Sequence, residues 1–173
     1  MDIWTAISGQ RVIRKFSDRP LEAEHLDRIL RAGRRTGSSK NLQRWDFIVC
    51  RDRDHLKDLS RVGPYAGHLA GAAVGIALVT PEPDAAEGRA SIMWDLGRAA
   101  QNMTLVAWEL GIGSAPATVY GQDLARRLLG YPAGRRCEFL LSFGFPADAT
   151  KLTAPLRPGG RRPLGDMVHE ERW

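Results

Sequence analysis

The chain has 173 residues and a formal net charge of +5, with 43% hydrophobic and 26% charged residues. That is the size of one domain, with no room for a separate substrate domain, and the composition excludes wholesale disorder, a collagen-like rod and a membrane bundle. Two cysteines, Cys50 and Cys137, provide neither a disulfide framework nor a zinc cluster. Asp2 stands where a signal peptide is basic, and no long apolar run follows, so the cytosol is the expected compartment. The basic excess comes from twenty-one arginines, against only Lys15, Lys40, Lys57 and Lys151. Guanidinium suits a bidentate grip on phosphate. Nucleic acid, an anionic cofactor or plain solvent would each fit this charge. The cations are scattered among acids and no nucleic-acid motif is present, which weighs against the first.

In chain order, residues 2–9 read as a short helix with Ile3, Ala6 and Ile7 on one face. Residues 21–35 read as a second helix: Pro20 precedes it, Glu22 and Glu24 load its first turn, and Arg31, Arg34 and Arg35 its last. Trp45–Cys50 has strand character. Residues 53–62 suggest a surface helix, and the unbroken apolar run 72–80 a buried strand ending at Pro81. Residues 84–110 form the longest helical pattern. Ile92, Leu96, Ala99, Met103, Val106 and Leu110 make one stripe, beside a second of mostly small residues, Met93, Gly97, Ala100, Thr104 and Ala107. Such a helix is central or lies at a subunit interface. Residues 120–130 are expected to be helical and 138–145 extended. The tail, 147–173, has no core of its own beyond a possible helix at 163–172, and Trp173 argues that it docks on another surface.

Four segments could carry chemistry. Gln10-Arg11-Val12-Ile13-Arg14-Lys15-Phe16 gathers three cations; if extended, Val12, Arg14 and Phe16 share one face and Arg11, Ile13 and Lys15 the other. Ser38 to Trp45 puts Ser39, Asn41 and Gln43 on a loop entering a strand, where amides can read a heterocycle edge. Gly111 to Thr118 is rich in small residues that let backbone approach a flat ligand. Arg157 to Arg162 is a basic stretch of the tail. No nucleophile elbow, poised histidine or metal-ligand cluster is present.

Together these segments resemble the nitroreductase family. QRVIRKFSDRP (10–20) is similar to that family's RRSxRxFxxxP segment, and SSKNLQRWDFIV (38–49) to its SxxNxQPWxFIV segment. DLGRAAQNMTLVAWELGIGSAP resembles its long helix and following turn, and GYPAGRRCEFLLSFGFP with RRPLGDMVHEERW its last strand and tail. The resemblance implies an α+β, three-layer fold with a small central sheet flanked by helices. It further implies one domain over 1–173, an intertwined homodimer, and an arm of about 150–173 laid over the partner. The implied cofactor is FMN, with NADH or NADPH as reductant and a nitroaromatic, quinone or related small molecule as acceptor, by ping-pong hydride transfer through flavin N5. No side chain is then catalytic, no metal is used, and neither nucleic acid nor membrane is a partner. By position, Gln10, Arg11 and Val12 fall near the phosphate, Arg14 at the flavin pyrimidine, and Ser39, Asn41 and Gln43 along that edge. Pro116, Ala117, Thr118 and Val119 fall over the ring, their backbone N–H groups near N5. Arg161, or Arg162 in the neighbouring register, falls on the phosphate. Gln10 and Val12 replace the family's usual Arg and Ser, Arg44 its Pro, and Val119 a frequent Gly. An alternative is a flavin- or deazaflavin-binding protein of the same fold with a different role.

Overall fold

The computed structural model describes residues 1–83, 86–155 and 160–173, the side chains of 86 and 87 excepted. The elements run α1 (Ile3–Gly9), α2 (Ala23–Arg34), β1 (Asp46–Cys50), α3 (Arg53–Leu59), β2 (Val74–Pro81), α4 (Ala86–Glu109), β3 (Gly113–Thr118), α5 (Gln122–Leu129) and β4 (Arg135–Gly144). Four antiparallel strands form one sheet in the order β1-β2-β4-β3, leaving β1 and β3 as edges.

Side chains alternate across the sheet, so each strand feeds two cores. Ile76, Leu78, Leu141 and Phe143 face α2 and α4, where Leu26, Ile29, Leu96 and Met103 complete one cluster. Ala77, Val79, Leu140 and Cys137 face the other way, against Leu56, Leu59, Leu69, Ala125 and Leu129. A strand sandwiched between helical layers must be apolar on both faces, which is why the run at β2 is unbroken.

Several expectations need correction. Residues 113–118 form an edge strand, where the sequence suggested only a turn; low β-propensity there is overridden by pairing with β4. Pro116 is tolerated because an edge strand has an unpaired side. Trp45 precedes β1 rather than belonging to it, the helix after Asp52 stops at Leu59, and β4 begins three residues early at Arg135. The helix expected at 163–172 reduces to one 3-10 turn, Leu164–Asp166, because no surface of its own chain covers it. The proposed start of the long helix at 84–85 lies outside the described residues.

Gly111, at φ 72°, ends α4 and turns the chain into β3. Two residues on, a Cβ at Gly113 would lie 2.6 Å from the Cβ of Ile13. Only glycine lets the N-terminal segment lie this close to β3, and that contact positions the site.

Candidate functional site

Residues 12–16 run alongside β3 and β4 as an extended segment. Val12 bridges Ser114, Phe16 bridges Pro146, and the Ile13 N–H donates to the Ser114 carbonyl at 2.9 Å. Ile13 is buried while Val12 and Arg14 are exposed, as alternation requires. The same bond shows that Ser114 turns its carbonyl away from β4. Backbone direction alternates with every residue, so Pro116 and Thr118 also present their polar groups to the open edge. Val119 instead donates to the Glu138 carbonyl at 2.9 Å. The expected row of backbone donors from Pro116 to Val119 therefore narrows to one, the Thr118 N–H. Pro116 has none, and Ala117 and Val119 are turned toward β4, their side chains 1% and 4% exposed in the core.

Gln10 and Val12 border a trough between this segment and α4. Its 190 Å³ end is lined by Gln10, Val12, Gln101, Thr104 and Ser114. An adjoining 350 Å³ apolar part lies over Leu78, Phe139, Met93 and Leu96, and both parts share Gly97, Ala100, Pro116 and Leu141.

The loop 38–44 has a different anchor. Lys40, Asn41 and Gln43 all hold positive φ, at 52°, 55° and 48°. Three non-glycine residues in that region within four positions store strain, and strain of this kind persists only where surroundings over-determine it. The determinant is Asp95, 1% exposed, which accepts from the Ser39 N–H at 2.9 Å and pairs with Arg44 at 3.6 Å. Ser91 adds bonds to Ser39 and Arg44. The Asn41 and Gln43 side chains are left exposed.

Ser91 and Asp95 hold the loop, whereas Met93, Gly97, Ala100 and Thr104 line the trough. Two residues along a helix are about 200° of rotation, so loop and trough occupy opposed flanks of α4. Trp94, 70% exposed, stands on the strip between them. Within one chain, then, Gln10, Val12 and Pro116 come together on the trough, with Arg14 and Thr118 farther along their own segments, and Ser39, Asn41 and Gln43 do not join them.

The remaining cations are placed as follows. Arg11 packs over Trp108 with its guanidinium on the carbonyls of Gly9 and Ala154. Arg161 and Arg162 are exposed and, among the described residues, bond to the tail's own backbone, at Gly160 and Asp166. Arg157 lies outside the described residues.

The nitroreductase family profile matches residues 7–66 and 58–145. The chain belongs to the nitroreductase family. It is an oxidoreductase of that kind. A relative from Archaeoglobus fulgidus, whose name pairs NADH dehydrogenase with NAD(P)H nitroreductase, is 33% identical over 173 residues, spanning 96% of each chain. A like-named relative from Methanothermobacter thermautotrophicus is 32% identical over 100% of this chain and 88% of its own. Among solved structures, an FMN-dependent nitroreductase of Clostridium difficile superposes with a TM-score of 0.82 at 25% identity, covering 99% of this chain and 100% of that one. Nitroreductase A of Vibrio parahaemolyticus gives 0.85 at 25%, covering 98% and 75%. The α+β fold with a small antiparallel sheet flanked by helices is thus that of nitroreductases.

The residues present fit a flavin of the kind this family's sequence pattern implies. The trough offers an apolar floor for a flat ring, amides and hydroxyls at one end, and Arg14 beside Pro116. One residue escaped the sequence reading, which treated each histidine as ordinary. His68 is 9% exposed beneath β3, its Nδ1 2.8 Å from Ser142 Oγ and its Nε2 without a hydrogen-bond partner among the described residues. Burial pushes its pKa below the usual imidazole range; the Pro116 carbonyl opposes this and the charge of Arg14 adds to it. No local motif marks His68, because only the fold brings residues 14, 68, 116 and 142 together. Asp95 was missed for the same reason. The thiols are inert: burial pushes Cys50 up to about 11 and Cys137 to about 12.

Proposed function

We propose that this nitroreductase-family chain binds FMN and works as a homodimer, each flavin lying between the trough of one subunit and the 38–44 loop of the other. The observation that carries this proposal is the division of the expected contacts between opposed flanks of α4. One chain cannot close both around one ring, and a second copy related by a two-fold axis can. Unpartnered apolar surface supports the pairing. Helix α1 buries no residue, and Ile3, Trp4 and Ile7 are 79%, 75% and 51% exposed. In the tail, Leu164, Met167, Val168 and Trp173 are exposed as well. Surfaces of this kind mark interaction sites. The segment from about 150 to 173 then reaches over the partner as part of a single domain covering 1–173.

When bound, FMN supplies hydride acceptance from NAD(P)H at N5 and hydride donation to an acceptor. The protein binds and orients. Arg14 places a cation at the pyrimidine end, which favours negative charge there and raises the potential. Asn41, with Ser39 and Gln43, would read the same edge from the second subunit, and Pro116 and Thr118 would line the ring, Thr118 offering its one outward N–H. Arg11 and Arg161 or Arg162 meet the phosphate, the role for which the uncharged Gln10 and Val12 are unsuited. No side chain need act as acid or base, because positioning carries hydride transfer. NAD(P)H and a flat acceptor such as a quinone or nitroaromatic occupy the one open face in turn, in a cytoplasmic enzyme.

The test is the visible spectrum of the purified protein, followed by FMN titration and steady-state kinetics. Flavin bands, stoichiometric FMN and parallel double-reciprocal lines with NAD(P)H and a quinone are expected. A colourless protein that takes up no FMN would refute the proposal. Bound flavin that NAD(P)H does not reduce would leave binding intact and refute the reductase.

A further inference from the structure

Among the described residues, Arg11 is the last point at which the tail is bonded to the body. Its Nη1 donates to the Ala154 carbonyl at 2.6 Å, across 143 residues of sequence, and its Nε to the Gly9 carbonyl at 3.2 Å. Among the described residues beyond Ala154, every hydrogen bond from 160 to 173 stays inside that segment and every residue there is exposed. The guanidinium lies 5.6 Å from the centre of the Trp108 ring. Trp108 continues the stripe Gly97, Gln101, Thr104 along the trough flank of α4, one turn past Thr104, so Arg11 stands just beyond the Gln10–Thr104 end of that trough, about 16 Å of helix from Gly97. Arg11 forms no ion pair among the described residues. A guanidinium has five N–H donors in a rigid fork, and among the described residues two bonds engage Arg11, through Nε and Nη1.

We propose that Arg11 is a two-sided clamp: one edge holds the root of the tail at Ala154 while the other takes the cofactor's phosphate, so that phosphate binding fixes the direction in which the tail leaves the subunit. The inference rests on the FMN proposal above and adds a coupling to it. The phosphate is then sensed at the root of the tail through Arg11, which delivers Arg161 and Arg162 in a defined direction. A lysine keeps the charge but is a point donor without the planar fork, and cannot hold both partners in fixed geometry.

The experiment is hydrogen exchange of residues 160–173 in the full-length protein, saturated with FMN, with riboflavin, or with riboflavin plus inorganic phosphate. FMN is expected to slow exchange at least about tenfold more than riboflavin, the effect of one charge-assisted hydrogen bond. Inorganic phosphate with riboflavin is expected to recover only part of it, since the tether to the ring is missing. Arg11→Lys is expected to bind FMN more weakly and, once saturated with each flavin, to show equal protection with FMN and riboflavin. Equal protection by the two flavins in the wild type would overturn the clamp without any variant, as would a difference that survives in Arg11→Lys. Failure of the wild type to bind any flavin would instead refute the FMN proposal, and is distinguished by the titration itself.

Discussion

Replacing Gly113 by alanine perturbs the site through its scaffold. The added Cβ would lie 2.6 Å from the Cβ of Ile13, and 2.8 and 2.9 Å from its Cγ2 and Cγ1. Ile13 is 6% exposed and branched at Cβ, so it cannot swing aside, and the N-terminal segment must lift from β3. Overpacking of this kind costs about 1–3 kcal/mol. Ile13→Ala alone costs about 2–5 kcal/mol by emptying the same space. In the double variant the clashes with Cγ1 and Cγ2 are gone, and the remaining Cβ–Cβ contact is eased because the trimmed, unbranched side chain lets the segment shift, so the combined loss should fall short of the sum by about 1 kcal/mol or more. Urea unfolding at constant m measures each term, and the melting temperature should move by about 2–4 °C per kcal/mol. Gly113→Ala should also weaken FMN binding, since Val12 and Arg14 move with Ile13. Additive losses, or a neutral Gly113→Ala, would refute the close-approach argument.

Three further outcomes are expected. Asp95→Asn should lower stability by about 2–3 kcal/mol and FMN affinity by about tenfold or more, because the carboxylate holds the strained 38–44 loop; unchanged affinity on titration would detach that loop from the site. His68 has a folded pKa below its unfolded value near 6.5, so the folded state binds fewer protons there. Stability is therefore full above about pH 6.5 and falls as the pH drops below it, and His68→Gln should flatten that slope in urea unfolding between pH 7 and 5. Trp4→Glu should weaken self-association at least about tenfold by sedimentation, yet change subunit stability by no more than about 0.5 kcal/mol, since α1 buries nothing in its own chain.

The helices and three strands were legible because periodicity reports burial: the stripes on α4 and the run at β2 face two cores. The third strand, 113–118, was not, since Gly-Ser-Ala-Pro-Ala-Thr carries no apolar alternation and pairs only because β4 offers an edge. At the site, the sequence motifs named the segments. They could not show that α4 separates Ser39, Asn41 and Gln43 from Pro116, because that depends on which helical face each loop meets. They could not find His68 or Asp95 either, whose roles arise from residues dozens of positions away. Ala117 and Val119 matched by position, but strand alternation turns both side chains inward.

The opposed flanks of α4 have a genetic consequence. In the symmetric pair proposed above, each site would take its trough from one copy and its loop from the other. A variant crippled in the trough and a variant crippled in the loop would each be inactive alone. Co-expressed, they would form mixed pairs in which one site collects both defects and the other none. Two dead parents would thus yield half-active heterodimers, while both lesions placed on one chain and paired with wild type would leave one defect in every site.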